Sequence, residues 1–270
     1  MKRVGFAFNA TQPAALQLRD RALAWCADRG LAAWSAPAGE VHLHAADLDA
    51  SEALVVLGGD GTFLLAADSV ADADIPILGV NSGKVGFLSK AEHGDLEDVL
   101  GQLVEGTYVL EPRMMLEARS RTPLALNEAA VVRGAHPRVL RLEVRVDDSR
   151  LATYVCDGIV VATPTGSTGY SFSAGGPILD PTSRNLVVTP VASYLSALRS
   201  SVVGPQHVVR VGVVDAYDCL VSIDGRRDLP LAVGDVVEVR ARPAPIRFIE
   251  PRGALPFWDL LRKKAALLPS

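Results

Sequence analysis

The chain has 270 residues, of which 49% are hydrophobic and 21% are charged, and its formal net charge is -4. These values are typical of a globular protein with enough length to bury one large core or two smaller ones. A negative net charge gives no electrostatic footprint for nucleic acid, so DNA and RNA partners are disfavoured.

The sequence carries no signal for a membrane or for export. No segment is long and apolar enough to cross a bilayer, and the basic start is not followed by the apolar stretch of a signal peptide. The three cysteines, Cys26, Cys156 and Cys219, are far apart and odd in number, which argues against a disulfide framework or a metal-binding cysteine pair. We therefore expect a cytoplasmic protein with buried, reduced thiols and no membrane partner.

The first part of the chain alternates strands with helices. Strands are predicted at residues 4–8, 53–58 and 75–80, and helices within 13–30, 62–70 and 96–104. In the first helix, Leu16, Leu23 and Cys26 are expected near one face, and Gly30 is expected to end it. This alternation predicts an α/β domain with a parallel sheet over residues 1–112.

The second part of the chain has a different texture. Short apolar runs separated by Gly, Pro, Asp and Asn predict a β-rich, mostly antiparallel domain over residues 113–249. The tail, residues 250–270, contains "FWDLLRKKAALL", which has the pattern of an amphipathic helix. We expect this helix to pack back on the first domain.

The stretch "VVLGGDGTF" places three glycines around Asp60 directly after a predicted strand. Glycines allow another group to approach the main chain closely, and a helix amino terminus attracts phosphate. Thr62 is expected to cap that helix. Asp60 would repel phosphate unless it binds a metal or accepts a proton, and a simple Asp-Gly turn is the alternative.

A second glycine-rich loop, "NSGKVGFL", follows the next strand. The pair Gly83-Lys84 invites a P-loop interpretation, but Gly79 is one position too close and Val85 replaces the required Ser or Thr. Neither loop has the G-x-G-x-x-G pattern of dehydrogenases. A third segment, "CDGIVVATPTGSTGYSFSAGGPIL", is so dense in hydroxyls and glycines that it favours binding of an extended polar ligand.

Together these motifs resemble the NAD kinase family. The resemblance covers GGDGT, "NSGKVGFL", the pair Asn127-Glu128, "DGIVVATPTGSTGYSFSAGGP", "VSIDG" and the closing "FWDLLRKK". It implies transfer of a phosphoryl group from ATP, or from polyphosphate, to the adenosine ribose 2′-hydroxyl of NAD, which gives NADP. Mg²⁺ is expected to accompany ATP, and no metal site built from protein side chains is predicted.

The resemblance also implies roles for individual residues. Asp60 matches the family's proton acceptor, Asn127 and Glu128 would hold ribose and base groups, and Tyr170 is available for ring stacking. The implied NAD-binding residues are Asp60, Gly61, Asn127, Glu128, Arg138, Asp157, Thr168, Gly169, Tyr170, Ser171, Phe172 and Ser173, and the implied phosphate loop is Gly58, Gly59 and Thr62.

Some positions depart from the family's usual pattern. Gly169 stands where Ala is common, and Leu65 and Val155 occupy positions where many members carry a basic residue. Arg138 is the expected substitute for one lost phosphate contact, and Tyr194 stands in place of a histidine. A homodimer or homotetramer is expected.

Two alternatives to an NAD kinase remain at this stage. A lipid kinase of the diacylglycerol or sphingosine type shares the GGDGT loop, but it needs an apolar acceptor cleft. A non-catalytic NADP sensor on the same scaffold would have no need of Asp60.

Overall fold

The structure is a computed structural model that describes residues 1–83, 86–119, 124–136, 138–194 and 198–265. Within these ranges no helix has both the length and the apolar character needed to traverse a bilayer.

The helices and the strands of the described residues are each numbered in chain order. The helices are α1 Pro13–Ala27, α2 Ala45–Asp49, α3 Asp60–Ala73, α4 Leu96–Glu105, α5 Tyr170–Ser173 and α6 Phe257–Ala265, with short 3-10 turns at Ala38–His44, His93–Asp95 and Thr165–Thr168. The strands are β1 Arg3–Phe8, β2 Ala32–Pro37, β3 Leu54–Leu57, β4 Ile77–Asn81, β5 Ala91–Glu92, β6 Tyr108–Arg113, β7 Leu116–Arg119, β8 Leu124–Ala125, β9 Glu128–Arg133, β10 Leu140–Val146, β11 Ser149–Cys156, β12 Gly158–Ala162, β13 Leu186–Val191, β14 Ser201–Val203, β15 Val209–Asp215, β16 Cys219–Ile223, β17 Arg227–Leu231, β18 Val236–Ala241 and β19 Ile246–Pro251.

The chain divides into two compact units. The first comprises Met1–Pro112 and Ile246–Ser270, and the second comprises Arg113–Pro245. The returning segment begins at Ile246 rather than at residue 250, because β19 pairs with β4 and so belongs to the first sheet.

The first unit is built on a sheet with the strand order β2-β1-β3-β4-β19-β6, in which β5 pairs with β4. The pairs β1–β2, β1–β3, β3–β4, β4–β5 and β4–β19 are parallel. Strand β3 is buried at every residue, as is usual when helices cover both faces of a parallel sheet. Leu57 and Val80 are partners in the β3–β4 register, so the segments that follow these two strands leave the same edge of the sheet.

The buried face of α1 includes Cys26, as predicted. Ala15, Leu18, Ala22 and Cys26 are buried, whereas Leu16 and Leu23 are only partly buried. The buried positions are three or four residues apart, so they form one stripe, and their alanines allow the helix to lie close to its neighbours. Leu16 and Leu23 flank this stripe and pack against the same hydrophobic core as Cys26, so the prediction that these three residues lie near one face is confirmed.

The second unit contains two antiparallel six-stranded sheets. Their strand orders are β11-β10-β15-β18-β7-β8 and β14-β13-β12-β9-β16-β17. Alternate residues of both sheets, such as Leu142 and Val144 of β10 and Ile159 and Val161 of β12, belong to one hydrophobic core. The predicted fold class, an α/β unit and a β-rich unit with a carboxy-terminal helix that returns to the first, is therefore confirmed.

The predicted burial of the three thiols is also confirmed. All three cysteines are free and buried. Burial raises the pKa of Cys26 and of Cys219 to about 11 and that of Cys156 to about 12, so none of them has thiolate character at neutral pH.

Tyr154 lies in the second core with only 1% of its surface exposed, and its hydroxyl has no hydrogen-bond partner within the described ranges. We predict that Tyr154→Phe leaves the free energy of unfolding unchanged or raises it by up to about 1–2 kcal/mol, because an unpaired buried hydroxyl is removed. Tyr154→Ala should lower it by about 3–5 kcal/mol through the cavity it leaves. Urea denaturation measures both, and a Phe variant less stable by more than about 1 kcal/mol would show that the hydroxyl has a partner.

Candidate active site

The glycine bend after β3 leads directly into α3. The helix begins at Asp60, and Gly59 occupies the N-cap position in an extended conformation without a side-chain cap. Thr62 lies inside the first turn and is buried, so the prediction that Thr62 caps the helix was wrong. A Cβ atom at Gly58 would lie 2.5 Å from Thr62 Oγ1, so this position needs a glycine.

The Asp60 carboxylate is bound by the segment that follows β4. Phe87 N–H donates to Asp60 Oδ2 at 2.8 Å, and Leu88 N–H donates to Asp60 Oδ1 at 3.1 Å. A Cβ atom at Gly86 would overlap Asp60 Oδ1, so Gly86 is required for this close approach. Each carboxylate oxygen keeps a lone pair for a further partner, because an ionised carboxylate has about four acceptor sites.

Sequence reasoning singled out Asp60 but not Gly86. The available signal was the second glycine of "NSGKVGFL", which looked like part of a phosphate loop. Lys84 and Val85, on which the rejected P-loop interpretation depended, lie outside the described residues.

In the second unit, a buried carboxylate organises the pair Asn127-Glu128. Asp224 accepts hydrogen bonds from the main-chain N–H groups of Leu126 at 2.9 Å, Asn127 at 2.8 Å and Glu128 at 3.0 Å. Arg226 also donates to Asp224, at 3.2 Å. Asp224 was not among the predicted site residues, although it lies in the motif "VSIDG" that contributed to the resemblance.

Glu128 is the most perturbed acid of this site. It is 8% exposed, and its Oε2 atom has no hydrogen-bond partner in the part of the chain that the structure describes. A Cβ atom at Gly169 would lie 3.3 Å from Oε2, so a side chain added there would require a small shift of Glu128. Burial, and then the nearby charge of Asp224, raise the pKa of Glu128 to about 8.

The segment after β12 is tied to the same place. Thr163 N–H donates to Asn127 O at 2.8 Å, and the Thr163 hydroxyl donates to Leu126 O at 2.6 Å and accepts from Gly166 N–H at 3.0 Å. A Cβ atom at Gly166 would overlap the main chain of Asn127. The structure therefore brings together two motifs that the sequence separates, the Asn-Glu pair and the hydroxyl-rich segment.

Many hydroxyls of that segment bind the protein itself. Ser167 donates to Pro164 O at 2.7 Å, Thr168 to Thr165 O at 3.2 Å and Ser173 to Gly169 O at 3.4 Å. Ser171 is fully buried, and its hydroxyl lies 2.9 Å from that of Thr189. Phe172 lies at the surface. These side-chain bonds hold the backbone of the 3-10 turn and α5 in shape.

A polar border beside Glu128 and the segment after β12 is formed by three residues, Tyr170, Asp157 and Arg133. Arg133 Nε lies 3.1 Å from Asp157 Oδ1, and Tyr170 keeps 40% of its surface exposed. The pKa of Tyr170 is raised, first by partial burial and then by the charge of Asp157. Arg133 was not predicted, because its pairing with Asp157 arises only from the folded arrangement.

Other predicted positions take no part in the contacts described above. Arg138 is exposed and stacks over the Tyr217 ring, with its Cζ atom 4.9 Å from the ring centroid. Leu65 is an exposed residue of α3, and Val155 and Tyr194 pair in an isolated antiparallel bridge. Within the described ranges, no group of three or more His, Cys, Asp or Glu side chains could hold a metal ion.

Two family models match the chain. The ATP-NAD kinase N-terminal domain matches residues 26–108, and the ATP-NAD kinase C-terminal domain matches residues 126–251. The chain is 38% identical to the NAD kinase of Symbiobacterium thermophilum, over 98% of this chain and 99% of the relative. It is 36% identical to the NAD kinase of Heliobacterium modesticaldum, over 98% of each.

Two solved structures are similar to the chain along nearly its whole length. An NAD kinase from Archaeoglobus fulgidus in complex with ATP has a TM-score of 0.81 and 25% identity, and the match covers 98% of this chain and all of that one. Yeast NADH kinase complexed with NADH has a TM-score of 0.84 and 22% identity, with 99% of this chain and 87% of that one covered, so it supports the fold.

The raised pKa of Glu128 predicts a pH-dependent stability. The folded chain keeps a proton that the unfolded chain releases between about pH 4.5 and 8, so the free energy of unfolding should fall as pH rises through this range. Glu128→Gln cannot lose that proton. The stability of the Gln variant relative to the parent should therefore increase from pH 5 to 8 and level off above it.

Denaturant unfolding of both proteins between pH 5 and 9 measures this difference. Glu97→Gln is the control, because the hydrogen bond from Arg21 lowers the pKa of Glu97 and its effect lies below this pH range. If the free energies of unfolding of Glu128→Gln and the parent differ by the same amount at every pH, then Glu128 is ionised throughout this range.

Proposed function

The chain belongs to the NAD kinase family, and we propose that it transfers the γ-phosphoryl group of ATP to the 2′-hydroxyl of the adenosine ribose of NAD, giving NADP and ADP. The observation that carries this proposal is the Asp60 carboxylate, which two main-chain amides hold at the first residue of α3. Phosphoryl transfer depends mainly on positioning and on stabilisation of charge. A carboxylate fixed in direction is suited to accept the proton of an attacking hydroxyl.

In the proposed step, Asp60 acts as the general base. The 2′-oxygen of the ribose forms a bond to the γ-phosphorus while the bond from that phosphorus to the β–γ bridging oxygen breaks, and ADP leaves with the electron pair. The hydroxyl proton passes to the free lone pair of Asp60 and then to solvent. The amides of Phe87 and Leu88 keep the carboxylate oriented during this transfer.

The amino terminus of α3 would bind phosphate. Gly59 supplies no capping side chain, so first-turn N–H groups such as that of Gly61 can face an anion, and the helix dipole favours its charge. Gly58, Gly59 and Thr62 would shape this phosphate loop, as the resemblance implies.

The Asp60 carboxylate is a suitable ligand for Mg²⁺ that arrives with ATP. Mg²⁺ usually keeps several waters and binds one or two carboxylates together with substrate phosphates, and Asp60 retains free acceptor sites for such a contact. The ion would neutralise charge on the phosphate oxygens.

The second unit would bind the dinucleotide. Asn127 and Glu128 would hold ribose and base groups, and Asp224 keeps their main chain in place. Below about pH 8 Glu128 carries a proton, so it can donate a hydrogen bond as well as accept one. Asp157, oriented by Arg133, would accept a hydrogen bond, and the exposed ring of Tyr170 offers a stacking surface. Arg138 and the segment Thr168 to Ser173 remain predicted contacts.

The two alternatives have less support. The comparisons give no support to a lipid kinase, and the polar border of Tyr170, Asp157 and Arg133 suits a dinucleotide better than an acyl chain. An NADP sensor would have no use for the fixed carboxylate of Asp60. The free, buried thiols agree with the proposal that the enzyme works in the cytoplasm. The homodimer or homotetramer remains a prediction that analytical ultracentrifugation can test.

One assay tests the proposed function. The protein is incubated with Mg²⁺, NAD and either ATP or polyphosphate, and NADP is detected with a strictly NADP-dependent dehydrogenase. NADP formed with ATP supports the proposal, and the polyphosphate reaction defines the donor range. No NADP with either donor would exclude the kinase activity.

Asp60→Asn should slow turnover by about 10²- to 10⁴-fold, the usual range for a positioned general base. The substitution is nearly isosteric, but the asparagine NH2 group replaces one of the two oxygens that accept the Phe87 and Leu88 N–H groups. We therefore expect the same fold with a lower melting temperature, and an affinity for NAD that is retained. Steady-state kinetics and NAD titration measure the two effects. A variant that keeps most of its turnover would show that Asp60 is structural.

Tyr170→Ala should weaken NAD binding roughly 5- to 150-fold, because base–aromatic stacking is worth about 1–3 kcal/mol. Tyr170→Phe keeps the ring face and should cost far less. Calorimetric titration gives the affinities, and thermal melting of the ligand-free variants is the control. If Tyr170→Ala melts much lower but binds NAD normally below that temperature, the ring is an anchor of α5 and the stacking hypothesis fails.

A further inference from the structure

The segment that binds Asp60 also contacts α6. We call residues 86–90 the Asp60-binding segment. On one side, the Phe87 and Leu88 amides donate to the Asp60 carboxylate. On the other side, the Phe87 ring is covered by α6, the carboxy-terminal helix of the same unit. One residue, Phe87, therefore links the candidate base to the end of the chain.

Two residues of α6 contact the Phe87 ring. The Phe257 ring lies at a centroid distance of 6.2 Å and is tilted by 45°, which is a usual geometry for an aromatic pair. Lys264 places its Nζ atom 4.3 Å from the Phe87 ring centroid, within the range of a cation–π interaction. Phe257 and Lys264 are about two helical turns apart, so they lie on the same face of α6.

The other end of the segment is fixed independently. Lys90 forms an ion pair with Glu250 of β19 at 2.6 Å, and its side chain is only 5% exposed. Lys90 N–H donates to Gly79 O at 3.0 Å, and a Cβ atom at Gly79 would lie 2.8 Å from Ser89 Cα. These contacts hold residues 89 and 90 against the sheet. The ring of Phe87, in contrast, contacts α6 through Phe257 and Lys264.

We propose that α6 positions the catalytic base, with Phe257 and Lys264 as positioning residues that act on Asp60 through the Phe87 ring. The inference rests on the proposed function, in which Asp60 accepts the proton of the ribose hydroxyl. When α6 holds the ring, the Phe87 amide stays aimed at Asp60 Oδ2 and the carboxylate keeps one direction. Without that contact the amide moves, and a small misplacement of a reacting group is costly for the chemical step.

A positioning role for α6 can be distinguished from a purely structural role by its effect on kcat. A helix that only stabilised the unit would, when weakened, lower the melting temperature and leave the turnover of the folded protein unchanged. A positioning helix affects kcat, because the proton is accepted only in the transition state, and it leaves the KM for NAD nearly unchanged. We expect NAD binding to depend less on Asp60, because most of the predicted NAD contacts lie in the second unit.

The test compares variants of α6 in the full-length protein. Phe257→Ala should lower kcat about 5- to 50-fold with less than about a twofold change in the KM for NAD. Phe257→Tyr keeps the ring and should restore kcat to within about twofold. Lys264→Met keeps the aliphatic stem and removes the charge, so its effect should be smaller, about two- to fivefold. Arg262→Ala is the matched control, because Arg262 is 82% exposed on the same helix and pairs with Asp259.

Coupling through Phe87 is measured with a double-mutant cycle. In a Phe87→Leu background the effect of Phe257→Ala on kcat should largely disappear, because the pathway through the ring is already lost. Full additivity of the two changes would overturn the proposal. A kcat for Phe257→Ala equal to that of Arg262→Ala, per folded molecule, would overturn it as well.

Hydrogen exchange separates failure of this inference from failure of the proposed function. In ligand-free Phe257→Ala, amides of a peptide covering Phe87 to Ser89 should exchange at least about tenfold faster than in the parent, whereas in Arg262→Ala they should not. If the parent makes no NADP, the proposed function fails, and this readout still decides whether α6 orders the Asp60-binding segment. If the parent is active and neither exchange nor kcat responds to Phe257→Ala, only the present inference fails.

Discussion

The arrangement of the first unit depends on one carboxylate bound by two main-chain amides. Asp60 is the first residue of α3, and its oxygens accept the N–H groups of Phe87 and Leu88. This contact joins the segments that leave β3 and β4 at the same edge of the parallel sheet. It requires glycine at Gly86, because a Cβ atom there would overlap Asp60 Oδ1, and the bend before Asp60 requires glycine at Gly58, where a Cβ atom would clash with Thr62. The same bonds that close the fold at this edge also orient the candidate base.

In the second unit, too, a carboxylate that accepts main-chain N–H groups supports the candidate binding residues. Asp224 accepts three consecutive main-chain amides and thereby fixes the start of β9, where Asn127 and Glu128 lie. A carboxylate is well suited to this role, since it has several acceptor sites and forms strong hydrogen bonds with amides. Its charge also contributes to the raised pKa of Glu128. Asp224 therefore both holds the main chain of residues 126–128 and raises the pKa of Glu128.

The motifs of the candidate sites could be recognised in the sequence more readily than the residues that support them. GGDGT, the Asn-Glu pair and the hydroxyl-rich segment were recognisable because each motif is contiguous. Gly86, Arg133 and Asp224 were missed, because their importance depends on partners far away in the chain. The bond from Phe87 to Asp60 spans 27 residues, and the bond from Leu126 to Asp224 spans 98. Likewise, sequence spacing could not show that Ser171 is buried against Thr189 and that Arg138 stacks on Tyr217.

The sequence by itself determined the class of each unit, the family and the identity of the candidate base, since these follow from periodicity and from local motifs. Strand β3 is apolar at every position and is followed by glycines, and this pattern is visible without any tertiary contact. Tertiary structure alone decided which amides hold Asp60 and Asn127-Glu128, why Glu128 keeps its proton up to about pH 8, and how α6 reaches the Phe87 ring. The physical reason is that burial, hydrogen-bond direction and ring contacts depend on distances in space, which only the folded chain defines.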